Sequence, residues 1–280
     1  MTNSNSNSEA ILVLAPGRSE KNYFRDLWYF RELFIILAWR DVTVRYKQTV
    51  VGVAWALIRP LLSIVIFSII FGGLAKLPSD GVPYPVMVSA GLLPWTLFSS
   101  VMTESANSLI VNARLVSKVY FPRIIMPAAA GVVGLIDFII SLLILVGVMI
   151  WYQFMPGWQI LLLPVVAVVA VFASLGPSLF ISALNVKYRD FRFIVPFIVQ
   201  FGLYVSPVAF SSSVIPEKWR LLYNLNPMVG VIDSFRWCVN GGQTELYVPG
   251  LIAGAAVTVV MMFVGFLYFR ATEKSFADVI

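Results

Sequence analysis

Arg114, Lys118 and Arg123 stand within ten residues of one another, between two apolar stretches each long enough to cross a bilayer. A cation costs roughly 2.5–3.5 kcal/mol near the centre of the hydrocarbon. Residues 108–127 (SLIVNARLVSKVYFPRIIMP) must therefore turn outside it. Leu109, Ile110, Leu115, Val116 and Val119 recur near helical spacing, with Asn112 and the cations between them. That pattern predicts a short helix with one apolar face, broken at Pro122 before Pro127 opens the next segment. Such an elbow suits docking to another protein, and it equally suits a plain positively charged loop. A second set of cations, Arg40, Arg45, Lys47 and Arg59, precedes or enters the first long apolar run. Arg59 either snorkels to the headgroups or meets an anionic substrate arriving from that leaflet. Asp137 is the one carboxylate deep in an apolar segment, which marks it for function by position. With no second acid beside it, a structural role, either a hydrogen bond across helices or a bundle-facing carboxylate, is preferred over a proton relay. Asp233 and Arg236, three apart, fall where they can pair on one helix face.

None of these groups points to covalent chemistry. The chain has no histidine, which removes imidazole catalysis and imidazole metal sites, and Cys238 is its single cysteine, which removes an intrachain disulfide. No GxxxxGK[ST] loop occurs, so ATP hydrolysis by that route is excluded. No pair of carboxylates flanks a hydrophilic cleft as a glycosidase would need. Of the 280 residues, 59% are hydrophobic and 12% charged, against about 25% charged in soluble domains. With a mean hydropathy of +0.86, this is an integral membrane protein. Its +6 charge belongs to the sidedness of a membrane rather than to nucleic acid.

The elements that position these residues follow from the apolar run lengths. Six spans are expected, at 52–74, 84–102, 124–152, 158–184, 193–210 and 247–269, making an all-α fold. Residues 1–21 read as a disordered polar tail without a leader peptide, so the N-terminus is expected in the cytosol. Residues 22–50 alternate arginines with Trp28, Phe34 and Trp39 around an apolar core too short to span. They predict an amphipathic helix in the headgroup region, with a helix packing against a soluble surface as the alternative. Placing both termini in the cytosol puts sixteen of the twenty Lys and Arg on that side, as the positive-inside rule requires. A short tail, 271–280, closes the chain. Between the last two spans, 216–225 and 227–239 are too short to cross and are divided at Asn226-Pro227. They are expected either as re-entrant half-helices lining an outer gate or as a plain external loop. Trp55, Trp95, Trp151 and Trp158 fit interfacial belts, and the Gly131/Gly134 and Gly250/Gly254 pairs fit close helix packing.

Several stretches together resemble one family. They are RDVTVRYKQTVVGVAWALIRPL (40–61), YPVMVSAGLLPWTLFS (84–99), NSLIVNARLVSKVYFPRIIMP (107–127) and NVKYRDF (185–191), followed by SPVAF (206–210), NPMVGVIDSFRW (226–237) and the closing FADVI (276–280). In this order they resemble the permease subunits of ABC exporters for O-antigen, capsule and teichoic-acid-type polymers, from about residue 26 onward. The resemblance implies a homodimer of six-span subunits in a bacterial inner membrane, each engaging a separate ATP-binding subunit. It implies export of a lipid-linked glycan through a channel at the dimer interface. The chain itself would carry no cofactor, ATP and magnesium sitting on the partner. The residues implied to receive the ATPase are Asn112, Arg114, Leu115 and Lys118 in a coupling helix at 107–119, and Lys187, Arg189 and Asp190 in the next loop. The clustering of Arg40, Arg45 and Arg59, with Lys47 beside them, where the interfacial helix meets the first span adds the expectation that they meet the lipid-linked pyrophosphate and membrane lipids at the inner leaflet. Trp219, Tyr223, Pro227, Asp233 and Arg236 would form the outer gate. A small-molecule ABC exporter is the nearest rival, an ion-coupled transporter and a membrane transferase lying further off.

Overall fold

The computed structural model describes residues 23–47, 50–188 and 190–276, with the backbone alone described at Lys47 and residues 50–53. The tail expected at 1–21, Arg189, and residues 277–280 of the closing segment lie outside the described residues. Two short helices come first, α1 (Tyr23–Tyr29) and α2 (Arg31–Lys47). The helix α3 (Val50–Phe67) continues through a wider π-helical turn, Ser68–Leu74. Then come α4 (Tyr84–Val111), α5 (Ala113–Lys118), α6 (Ile125–Trp151) and, after a 3-10 turn at Trp158–Leu162, α7 (Leu163–Lys187). The chain ends with α8 (Phe191–Val205), α9 (Glu217–Tyr223), α10 (Pro227–Val239) and α11 (Val248–Thr272). There is no strand among the described residues.

Five of these helices are long and apolar enough to cross a membrane: α3 with its π-turn, α4, α6, α7 with its 3-10 lead, and α11. The remaining expected span, the fifth at 193–210, is a helix of 15 residues ending at Val205. At 1.5 Å per residue it reaches about 22 Å, short of a hydrocarbon core of roughly 30 Å. Beyond Val205 the chain leaves the helix at Ser206 and runs through turns and bends to Phe210, mostly buried, with its carbonyls satisfied elsewhere. Ser206 has φ −88° and ψ 152°. Tyr84 Oη donates to the Ala209 carbonyl (2.6 Å), and Arg236 donates to those of Val208 (2.8 Å) and Phe210 (2.7 Å). Irregular backbone inside an apolar bundle survives only when its polar groups are paired in this way.

The bundle is organised around α4, which packs against α3, α6, α7, α8 and α10. Its residues from Val86 to Leu109 are mostly buried, whereas α3 is almost entirely bare. Small residues set the close crossings. A Cβ built on Gly134 of α6 would stand 2.9 Å from Val101 Cγ2, and one built on Gly265 of α11 would overlap the Gly176 carbonyl of α7. Overpacking of that kind costs about 1–3 kcal/mol or more. Gly265→Leu is therefore expected to push α11 off α7 and to aggregate in detergent. A wild-type elution profile in size-exclusion chromatography would contradict that packing.

A second apolar cluster sits at the end of the bundle where the cations gather. Leu37 of α2, Leu109 of α4, Val116 of α5, Ile125 of α6, Val186 of α7, Phe269 of α11 and Phe276 meet there. The helix expected over 107–119 is divided in two. Residues 107–111 extend α4, the chain bends at Asn112 (φ −105°, ψ 27°), and α5 restarts. Asn112 makes the bend by donating from its side chain to the Ser108 carbonyl (2.8 Å), while its own carbonyl accepts from Leu115 (2.9 Å).

Candidate functional site

From its middle to its end at the basic pole, α4 presents Thr96, Ser99, Ser100, Thr103, Glu104 and Asn107. Steps of three and four residues place them on one helix face. Thr96 Oγ1 and Ser99 Oγ bond back to carbonyls one turn earlier, which satisfies their donors and leaves oxygen lone pairs facing outward. This stripe forms one wall of a cavity of about 830 Å³. The other walls carry Asp41 and Arg45 of α2, Trp55 and Arg59 of α3, and Asp137 of α6.

Arg45 ties the walls together. Its Nη1 donates to Glu104 Oε1 (2.6 Å) and its Nη2 to Asp137 Oδ2 (2.7 Å). Asp137 also accepts from Ser100 Oγ (3.0 Å) and from the Tyr46 hydroxyl. Burial and then the bond to Asp137 push the Tyr46 phenol above its ordinary value, so it stays a donor. Asp137 is thus a junction between α2, α4 and α6, the first of the two structural roles expected from the sequence. Of the four cations expected beside the substrate, Arg45 and Arg59 reach this cavity. Arg40 donates to Asp41 Oδ1 through Nε (2.9 Å) and Nη2 (2.6 Å). Arg59 lies over the Trp55 ring at 5.4 Å and, among the described residues, pairs with no carboxylate. Lys47 ends α2, with its side chain outside what is described.

At the basic pole, Arg114 and Lys118 of α5 are exposed, Asn112 and Leu115 are half-buried, and Val116 is buried in the apolar cluster. Lys187 and Asp190 are exposed at the end of α7 and just beyond it. The two surfaces are joined by Asn185 Nδ2, which donates to the Ala106 carbonyl of α4 (2.9 Å). The end of α11 clamps the elbow from behind. Glu273 Oε1 accepts from the Arg123 backbone N–H (2.6 Å), and the Arg123 guanidinium donates to the Glu273 carbonyl. Arg270 donates to Glu273 Oε2 (3.3 Å) while lying 3.5 Å from the Tyr23 ring centre.

At the opposite pole, α9 and α10 pack beside the start of α11. Asn226 caps α10 by accepting from the Met228 N–H (3.1 Å), which puts Pro227 at the first turn. Arg236 is 3% exposed and gives its fork to the Val208 and Phe210 carbonyls. It makes no salt bridge with Asp233 among the described residues. The pairing expected from their spacing is replaced by bonds to backbone that has left a helix 26 and 28 residues earlier. Asp233 and Arg236 line a polar cavity of about 460 Å³ with Asp80, Glu217 and Arg220. Trp219 is exposed and Tyr223 half-buried. On α8, Phe193, Phe197, Phe201 and Tyr204 form an exposed aromatic stripe, with Phe197 and Phe201 stacked at 6.0 Å.

The sequence reading missed the α4 stripe, Glu104 and Glu273. A signal for the stripe was available in the three-and-four spacing of hydroxyls and amides from Thr96 to Asn107.

The profile of the ABC-2 type transporter family matches residues 32–240. The O-antigen export system permease protein RfbA of Klebsiella pneumoniae is 29% identical over 91% of this chain and 97% of its own length. Its namesake in Myxococcus xanthus is 28% identical over the same shares. The polysialic acid transport protein KpsM of Escherichia coli is 22% identical, over 84% of this chain and 92% of that protein.

Proposed function

The chain belongs to the ABC-2 type transporter family, and on that premise we propose that it is the channel-forming permease of an ATP-driven polysaccharide exporter. It would work as a homodimer with two ATP-binding subunits and move a lipid-linked O-antigen-like or capsule-like polymer outward across a bacterial inner membrane. Both termini and the α5 elbow would face the cytosol. One observation carries the reading: a cavity with charged walls opens between α2, α3, α4 and α6, and α3 beside it is almost bare. Charged groups facing hydrocarbon chains are costly, so this flank needs a covering. A second copy placed against α3 and the aromatic stripe of α8 supplies one and encloses a path that is polar on one side and aromatic on the other. Sugars would pass along it by short-lived stacking and hydroxyl contacts. The commitment of Asp137 to Arg45, Tyr46 and Ser100 leaves it poorly suited to an ion-coupled mechanism.

The drive would enter at α5 and at the end of α7. ATP-dependent closure of the partners shifts a permease only through contacts that differ between its states. The shared apolar cluster and the Arg123–Glu273 clamp would spread a push on α5 into α4, α6 and α11. Disrupting the gene in its own cell tests the proposal. Polymer should disappear from the surface, accumulate inside, and return with the wild-type gene. Undiminished surface polymer after disruption would refute it.

A further inference from the structure

We propose that the 830 Å³ cavity beside α4 is a binding site for neutral sugar residues of the exported glycan, and not for its anionic lipid anchor. This rests on the export reading and names what that path holds at its inner half. Charge separates the two ligands. Among the described residues, the cavity lining presents two guanidiniums, Arg45 and Arg59, against three carboxylates, Asp41, Glu104 and Asp137. Arg45 is already shared between Glu104 and Asp137 at 2.6 and 2.7 Å. A pyrophosphate, which only accepts hydrogen bonds, would meet those carboxylates with Arg59 as the one uncommitted guanidinium among the described lining residues.

A sugar hydroxyl both donates and accepts, and this wall offers both kinds of partner. Acceptors are the carboxylate oxygens not used by Arg45 and Arg40, Oε2 of Glu104 and Oδ2 of Asp41, and the outward lone pairs of the α4 hydroxyls. Bonds from a neutral hydroxyl to a carboxylate are about twice as strong as neutral pairs. Donors are Arg59 and the second N–H of the Asn107 amide, whose first goes to the Thr103 carbonyl (2.9 Å). Trp55, 46% exposed, adds an apolar face for the C–H side of a pyranose ring. The volume lies within the roughly 300–1,000 Å³ of sites that enclose drug-sized ligands, a short oligosaccharide among them.

The test uses the full chain in the cell that makes the polymer. The photoreactive residue p-benzoylphenylalanine is placed at Trp55, at Thr103, or at Leu143, which is exposed on α6 away from the cavity. After irradiation, a ladder of sugar-bearing adducts is expected at Trp55 and Thr103 and not at Leu143. Adding Glu104→Gln, with Asp41→Asn as a second variant, should lower adduct yield at Trp55 several-fold at equal membrane levels. An anion site would respond in the opposite sense, since removing a carboxylate relieves repulsion. Adduct yield that rises in either variant, or adducts at neither cavity position, would overturn the assignment. Surface polymer that depends on the gene but leaves no adduct sinks this inference alone. Surface polymer independent of the gene sinks the export reading.

Discussion

Arg45→Leu is expected to loosen α2 from α4 and α6 and to stop transport. It leaves Glu104 and Asp137 facing one cavity with their shared cation gone. Removing one partner of a fully buried pair costs roughly 3–5 kcal/mol. Arg45 keeps 37% exposure and Asp137 16%, so screening by water brings the expected loss to about 1–3 kcal/mol. The melting temperature in detergent should fall by several degrees. The double variant Arg45→Leu, Asp137→Leu should recover part of that loss, because it removes the stranded charge as well, and a double-mutant cycle reads the coupling directly. A single variant that melts like wild type would mean that the junction holds nothing.

The second large effect is expected at α5. Arg114 and Lys118 are exposed there, so reversing both to glutamate should leave the fold intact. Binding of an ATP-binding subunit through these cations should then be lost. Weakened single reversals should be salt-sensitive, since exposed charges are screened over about 8 Å at physiological ionic strength. Breaking the helix is a separate test of the same lever. Leu115 lies in the first turn of α5, where proline is better tolerated. Val116 is 1% exposed and donates its N–H to the Asn112 carbonyl (3.1 Å). Val116→Pro removes that bond and sets its ring against the carbonyl one turn earlier, costing about 3 kcal/mol locally. Normal membrane levels with ATPase coupling lost is the expected outcome. Full co-purification and full export in both variants would make the elbow an ordinary basic loop.

The parts of this molecule legible in its sequence are those in which one residue type conflicts with its surroundings. Three cations between apolar runs exposed the elbow, and a lone carboxylate among Leu, Ile and Val exposed Asp137 as a structural group. Long apolar runs gave α3, α4, α6, α7 and α11 because length alone decides a span. The end of α8 was hidden because SPVAF stays apolar while its backbone leaves the helix. Nothing local shows that the donors for those carbonyls lie on Tyr84 and Arg236, far away in the chain. The same distance defeated the Asp233–Arg236 pairing, which assumed a guanidinium free to choose its neighbour. The α4 stripe escaped because each serine or threonine barely lowers the hydropathy of a span, and only the spacing of all six marks a face. Glu273 escaped because its partner, Arg123, is 150 residues earlier.

The central claim is that this chain is a passage for a polymer and that the energy comes from a separate subunit. Reconstituting the purified chain in proteoliposomes, with and without its ATP-binding partner, tests it most directly. Lipid-linked glycan carrying a label on its inner-face end would be followed to the outer face. Movement is expected only with partner and ATP together, and the chain alone should hydrolyse no ATP, having no phosphate-binding loop. Glycan that crosses without the partner, or ATP hydrolysis that survives its complete removal, would contradict the account.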